Sequence, residues 1–455
     1  MKVQVGIDLG TTNSVAAYFD NGKVEYLKFR NKETLPSTLL YQKGAVTIGD
    51  MAKRKSALYP QNFIKSSKAF MGDMNKSWTI EDRTFTPTDV ASEVLLEIKR
   101  GLDKNFASAT SFEAVITVPA YFSSSQIDET KKAGENAGFA IKRIITEPVA
   151  AAVAYGLEDD VNQKIFIVDI GGGTFDTSIL EIKNKQFNTL AIDGDAKLGG
   201  DDFDNHILEF LLKFVRQDKG VNLASLEKSG LGEDEYRKSY QALVNKAEEV
   251  KIELSDATKV DIEIANLFSG YNLITALERV EFEKISSVTL NKIERIIQKT
   301  LSGFPINTID KVVLVGGSAK IPAIYEFVKK LFGKNPYSDK PLDKLVAMGA
   351  AIIVYDDNSV QIKDIISHSL GIELVDDKFS PILRKNTVYP ISHSETYTTV
   401  MDHQKVIDIN VYEGEDEDCV SNNSFYGGFS LSNIQQASAG VPQVGVATLS
   451  RTRIS

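Results

Sequence analysis

The sequence predicts an α/β fold followed by a β-rich C-terminal segment, and three observations carry that prediction. Residues 3–9, 113–118, 165–170 and 311–315 are near-continuously apolar, as expected of strands covered on both faces. Segments with helical periodicity lie between them, which is the alternation of α/β architecture. After about Asp356 the helical periodicity stops. Leu370, Ile372 and Leu374, and later Ile407, Ile409 and Val411, alternate with other residues, the pattern of antiparallel strands.

The helices announce themselves by their caps. Thr86-Pro87-Thr88-Asp89 reads as an N-cap, a proline at the first helical position and an acid at the third. Val90, Val94, Leu95, Ile98 and Leu102 follow at helical spacing. Ser123 and Gln126 form a second capping-box pattern before residues 127–137. Residues 149–157 read as buried helix, and Leu290, Ile293, Ile297 and Leu301 form another apolar stripe. The boundaries that follow are 1–355 for the α/β part, 356–369 for a linker and 370–455 for the β part. Residues 443–455 show no strand or helix pattern.

Composition narrows the function. The net charge of -10 argues against general binding to nucleic acid or anionic membranes. The N-terminus enters a strand motif without a signal-like apolar region, and no run approaches the ~18 apolar residues of a membrane span. One cysteine, Cys419, rules out a disulfide framework within the chain and points to the cytoplasm. Its bland reading, an inert thiol, is preferred. The four histidines lack the context of a transition-metal site.

The informative feature is a weak repetition. Ile7-Asp8-Leu9-Gly10-Thr11-Thr12-Asn13 ends one apolar strand, and Val168-Asp169-Ile170-Gly171-Gly172-Gly173-Thr174-Phe175-Asp176 ends another. Each has an aspartate, then glycine, then a hydroxyl residue. Glycines let backbone N–H groups approach phosphate oxygens, and threonine hydroxyls can donate to them. Each aspartate can hold the waters of Mg²⁺. Two such hairpins face to face would clamp a triphosphate. A third turn, Val315-Gly316-Gly317-Ser318, could carry the nucleoside. Either hairpin alone reads equally well as a structural turn; the pair, with the third turn, makes that reading poor. No GxxxxGK[ST] or GxGxxG occurs, which excludes a Walker-type site and disfavours a dinucleotide fold.

These motifs resemble those of the DnaK-type 70-kDa heat-shock chaperones. Residues 7–14, 169–178 (DIGGGTFDTS) and 312–322 (VVLVGGSAKIP) are similar to the family's three signatures. Residues 116–122 and 147–152 fit between them, and residues 379–382 and 410–412 suggest the HscC-like branch. The resemblance runs from residue 3 to about 442. It implies an actin-like ATPase domain of two lobes, an incomplete antiparallel β-sandwich after it, and ATP or ADP with Mg²⁺ as ligands. Carried over by position, Asp8, Glu147, Asp169 and Asp176 would organise Mg²⁺ and the attacking water, with Asp8 and Asp169 holding the ion through water. Gly10, Thr11, Thr12, Asn13, Gly172, Gly173 and Thr174 would hold phosphates. Lys68 would be the catalytic lysine, although by itself it reads as an exposed helix residue. Glu248, Lys251 and Ser255 share one helix face and alone read as a solvated stripe; the resemblance places them at the adenosine, with Gly316, Gly317, Ser318, Lys320 and Asp343. Pro119 matches a proline held to sense nucleotide state. The implied partners are unfolded or extended peptides and a J-domain co-chaperone.

Departures matter too. Lys320 stands where relatives commonly have Arg, and a point charge replaces a flat guanidinium there. Ile127 replaces a relaying Arg, the linker around residues 360–364 is more polar, and the segment between Gly72 and Val115 is short, which leaves the exchange factor open. Residues 445–455 depart from the family, no lid sequence follows, and a sheet cut there would expose edges. Two further readings compete: a small-molecule kinase on the same core, and a nucleotide sensor that binds no client.

Overall fold

The structure, a computed structural model, describes residues 2–156, 162–337, 341–356, 360–441 and 443–451. Its first sheet is built from β1 (Lys2–Asp8), β2 (Asn13–Asp20), β3 (Lys23–Tyr26), β4 (Ser111–Val118) and β5 (Ala140–Thr146), in the order β5-β4-β1-β2-β3. β1 and β2 form an antiparallel pair, and β4 runs parallel to β1. The helices of this part are α1 (Asp50–Lys55), α2 (Pro87–Asn105), α3 (Ser124–Asn136) and α4 (Glu147–Gly156). Both expected capping boxes form, Thr86 with Asp89 and Ser123 with Gln126. Each satisfies two backbone N–H groups that the first turn would otherwise leave bare. Of the expected buried helix over 149–157, residues to Gly156 lie in α4, and Leu157 lies outside the described residues.

The second sheet repeats the local topology. β6 (Gln163–Ile170) and β7 (Phe175–Lys183) are an antiparallel pair; β8 (Gln186–Asp195) and β9 (Lys311–Val315) flank them, and β9 is parallel to β6. β10 (Gln361–Ile365) adds in parallel to β8, giving the order β9-β6-β7-β8-β10, and Val388–Tyr389 closes the edge. The weak sequence repetition is thus a repeated strand arrangement. α5 (Gly200–Lys219), α6 (Glu233–Asp256) and α7 (Leu345–Tyr355) complete the elements that matter for the site.

α4 and α7 join the two sheets. Val149, Ala150, Ala151, Ala350 and Ile353 share one core cluster with Val115 and Ile145 of the first sheet and Ile165, Ile167 and Leu180 of the second. Small residues let the helices approach closely. Each fully buried aliphatic side chain here contributes about 1.5–3 kcal/mol relative to exposure.

The β part contains β11 (Leu370–Leu374), β12 (Lys378–Leu383), β13 (Ile391–Thr398), β14 (Val406–Glu413), β15 (Ser424–Ser432) and β16 (Gln443–Arg451). One antiparallel sheet has the order β12-β11-β14-β15, and β13 pairs with β16. The alternating residues identified in the sequence fall in β11 and β14. This part and the residues just before it contact the rest at specific points. The Ser124 N–H donates to Glu413 at 2.9 Å, the Ser367 hydroxyl to the Phe122 carbonyl at 3.1 Å, and the rings of His368 and Tyr121 lie 4.2 Å apart.

Strand β10 lies within 356–369, where Val360, Ile365 and Ile366 are buried; residues 357–359 lie outside the described residues. One expectation is corrected. Residues 443–451, expected to lack regular structure, form β16 against β13, and 452–455 lie outside the described residues. No helix among the described residues is long and apolar enough to cross a membrane.

Candidate functional site

A cleft of about 450 Å³ opens between the two sheets. Its floor is made by the two glycine turns, one after β1 and one after β6. The turns touch: a Cβ on Gly172 would fall 1.7 Å from the Thr12 hydroxyl oxygen, so only glycine fits. Gly316, at φ +85°, takes the same role after β9, with the Ile170 carbonyl oxygen 2.3 Å from where a Cβ would be. Hydrogen bonds hold the turns. The Ser37 hydroxyl donates to the Gly10 carbonyl at 2.7 Å, the Gly171 N–H to the Thr174 carbonyl at 3.0 Å, and the Ser318 hydroxyl to the Gly171 carbonyl at 2.9 Å. The Thr11 hydroxyl is buried and has no partner among the described residues. A buried hydroxyl of this kind costs free energy until something accepts from it.

Behind the turns lies a buried acidic cluster with one cation. Asp8 ends β1, Asp169 and Asp176 face each other across β6 and β7, and Glu147 opens α4. Lys68 reaches Glu147 at 2.7 Å, with their side chains 6% and 9% exposed. The reading of Lys68 as an exposed helix lysine is therefore overturned. It sits in a 3₁₀ turn, Ser67–Phe70, that folds it inward. The Thr117 hydroxyl donates to Asp8 at 3.4 Å, and the Tyr121 N–H donates to Asp176 at 2.9 Å.

Four carboxylates against one lysine leave excess negative charge in a low-dielectric site. Burial, then the charge of Glu147, pushes Asp8 up to about 7 and Asp176 up to about 8, with Lys68 opposing. Burial, then Glu147, Asp176 and Asp8, also raises Asp169. The donor set of hard oxygens fits a divalent cation such as Mg²⁺. Among the described residues no three such groups are placed to hold an ion together.

These shifts have a thermodynamic sign. An acid whose native value lies above its ordinary 3.8 gives stability that is complete below about pH 4 and lost as pH rises through the native value. Asp176→Asn mimics the protonated form. Its stability should gain on the wild type from about pH 4 to about pH 8, then hold level. Thermal unfolding across pH checks this; parallel curves would mean that Asp176 ionises as an ordinary carboxylate.

The outer cleft is formed by α6 on one side and the turn after β9 on the other. Glu248, Lys251, Ile252, Ser255 and Asp256 face Gly316, Gly317, Ser318, Lys320, Ile321 and Asp343. The solvated-stripe reading of Glu248, Lys251 and Ser255 is also corrected. Glu248 pairs with Lys53 of α1 at 2.6 Å, and Lys251 pairs with Asp204 of α5 at 2.8 Å. Lys53–Glu248 joins α1 to α6, and the Ser66 hydroxyl donates to Asp201 of α5 at 2.6 Å. Lys320 lies 3.4 Å from Asp343 at the rim.

A family model described as Hsp70 protein matches residues 4–450. The chain belongs to the Hsp70 family. Hsp70 proteins are ATP-dependent chaperones and ATPases that bind ATP or ADP with Mg²⁺. In this Hsp70 chain the cleft gathers Asp8, Gly10, Thr11, Thr12, Asn13, Lys68, Glu147, Asp169, Gly172, Thr174 and the whole outer set from Glu248 to Asp343. Two expected residues do not line it. Asp176 is turned back onto the Tyr121 N–H, and Gly173 packs against Thr11. The sequence reading missed Thr34, Ile252, Asp256, Ile321 and Val346, which do line it. For Ile252 a signal existed: an apolar residue one turn beyond Glu248 on an otherwise polar face.

Proposed function

We propose that this chain hydrolyses ATP in the cleft and couples that hydrolysis to binding of unfolded peptide segments in its β part. Residues 1–355 would be an actin-like ATPase domain of two lobes, 356–369 the connection and 370–455 an incomplete β-sandwich. One observation carries the nucleotide reading: two glycine turns from two sheets meet over a buried cluster of four carboxylates and one lysine.

Each group then has a role. The backbone N–H groups of the turns and the hydroxyls of Thr11, Thr12 and Thr174 would donate to phosphate oxygens. Asp8 and Asp169 would hold Mg²⁺ through water; when bound, the ion neutralises phosphate charge. Lys68 would place a positive charge at the transferring phosphate, where fixed charge does most of the catalysis. Glu147, oriented by Lys68, would accept a hydrogen bond from the attacking water. Asp176, held by Tyr121, would keep the far side of that water ordered. Glu248, Lys251 and Ser255 would meet the ribose, with Lys320 and Asp343 near the base.

The hydrogen bonds of Glu413 and Ser367 and the ring contact of His368, the latter two in the connection, with residues 121–124 support coupling. They attach the β part to the segment whose Tyr121 N–H holds Asp176. Peptide clients, a J-domain co-chaperone and a cytoplasmic location belong to the same reading. Phosphate release from Mg-ATP tests it, with and without an unfolded peptide and a J-domain protein. Slow release, accelerated by both, is the expected result. Release that requires an added sugar would favour a kinase, and release indifferent to peptide would remove the coupling.

A further inference from the structure

A histidine and a buried carboxylate meet where the connection and the β part touch residues 121–124. His368 Nδ1 lies 4.0 Å from Glu413 Oε1, with the side chains 17% and 4% exposed. Glu413 ends β14 and accepts the Ser124 N–H at 2.9 Å. Ser124 opens α3, and a helix N-terminus favours negative charge beside it. The His368 ring also rests on Tyr121, with ring centres 4.2 Å apart, and its Nδ1 lies 3.3 Å from the Ser367 hydroxyl. The other charges here come from several elements. Burial above all, then Asp193, Glu415, Asp195 and Asp176, pushes the Tyr121 hydroxyl up to about 12, so Tyr121 stays neutral where a histidine titrates. Lys385 lies 4.8 Å from the Tyr121 ring centre and 3.8 Å from Asp193. Lys299 pairs with Asp193 and Lys292 with Asp195. Asp73 and Lys197 line the cavity of about 300 Å³ that His368 and Glu413 share. Each of these lysines except Lys197 has an aspartate partner, and Glu413 is the carboxylate that faces the imidazole.

We propose that His368 is a pH-sensitive lock: its protonation fastens the connection and the β part to the start of α3, and its neutral form loosens them. The proposal deepens the coupling reading above by naming what regulates the contact. The sign follows from the pairing. An imidazolium has a buried carboxylate beside it when the parts are docked and loses that partner when they separate. Docking therefore takes up a proton, is fullest at low pH and weakens as pH rises through the range in which histidine loses its charge, about pH 5 to 8.

Hydrogen exchange of the Ser124 amide tests it, on the full chain with Mg-ATP. Glu413 accepts that N–H, so its protection reads docking once each rate is divided by the intrinsic rate at that pH. In the wild type, protection should be about fivefold greater at pH 6 than at pH 8, the size expected when a partner moves a histidine's titration by about one pH step. Asp176, which accepts the Tyr121 N–H, is pushed up to about 8 and also titrates near this range, so the variants decide. His368→Gln, which keeps a polar side chain without the charge, should remove the difference between the two pH values. Glu413→Gln, which keeps the acceptor oxygen for Ser124, should remove it as well. Equal protection at both pH values in the wild type, or an unchanged pH difference in both variants, overturns the lock. Peptide-stimulated phosphate release at a single pH tests the coupling on its own. No stimulation beside an intact pH difference removes the coupling and keeps the lock.

Discussion

Lys68→Ala is expected to slow single-turnover ATP hydrolysis by about 10²–10³-fold, the range for removing one preorganised electrostatic group, while ATP affinity changes little. The asymmetry follows from the placement of the lysine. It is buried, 2.7 Å from Glu147, and its ammonium lies 5.5 Å from the centre of the Phe122 ring. In that setting it can act on charge developing at the transferring phosphate. The glycine turns and the outer cleft, which anchor the rest of a nucleotide, stay intact. Breaking a buried ion pair typically costs about 3–5 kcal/mol. Unfolding should therefore be measured alongside, and Lys68→Met, which keeps the stem, serves as a second variant. Binding can be read independently of hydrolysis. Trp78, the only tryptophan, packs edge-on against Phe70 with ring centres 5.9 Å apart, and Phe70 belongs to the same turn as Lys68. Hydrolysis at the wild-type rate in both variants would remove Lys68 from the chemistry.

The sequence exposed those parts of the fold whose neighbours are close in the chain or whose burial is complete. β1, β4, β6 and β9 are largely buried on both faces, and that condition writes itself as a near-continuous apolar run. The capping boxes are local, with donor and acceptor three positions apart. The glycine turns were legible because close backbone approach leaves glycine as the one residue possible. What could not be read depends on distant partners. Lys68 meets a carboxylate 79 positions away, and nothing near it in the chain signals burial. β10 carries Gln361 and Lys363 because its neighbour is β8 and one face stays wet, so its pattern is that of a polar connection. β16 pairs only with β13 among the described strands.

Gly349→Ala should destabilise the protein by about 3 kcal/mol or more, the upper range for overpacking, although alanine is the better helix former by about 1 kcal/mol. Gly349 lies within α7, against α4. A Cβ there would fall 1.8 Å from the Ala150 carbonyl oxygen and 2.5 Å from its carbon, whereas ordinary contact begins at 3.4 Å. Both obstacles are backbone, so no side chain can swing aside, and the helices must separate. The other face of α7 is just as tight: Gly6 of β1 has the Ala351 nitrogen 2.0 Å from its own missing Cβ. α7 therefore cannot yield in either direction without disturbing β1 or α4, and those elements carry Asp8 and Glu147. α7 itself bears Val346, close after Asp343 at the cleft. Loss of stability should accordingly come with weaker ADP binding. Gly101, inside α2, is the control: the nearest atoms to its Cβ are the ends of the Leu27 side chain, at 3.1 and 3.5 Å, which can shift. Gly101→Ala should leave the unfolding midpoint nearly unchanged, because helix propensity and mild crowding oppose each other. Chemical denaturation of the two variants beside the wild type decides the matter. If Gly349→Ala is as stable as Gly101→Ala, α4 and α7 do not meet backbone to backbone, and the junction between the two sheets is looser than the packing described.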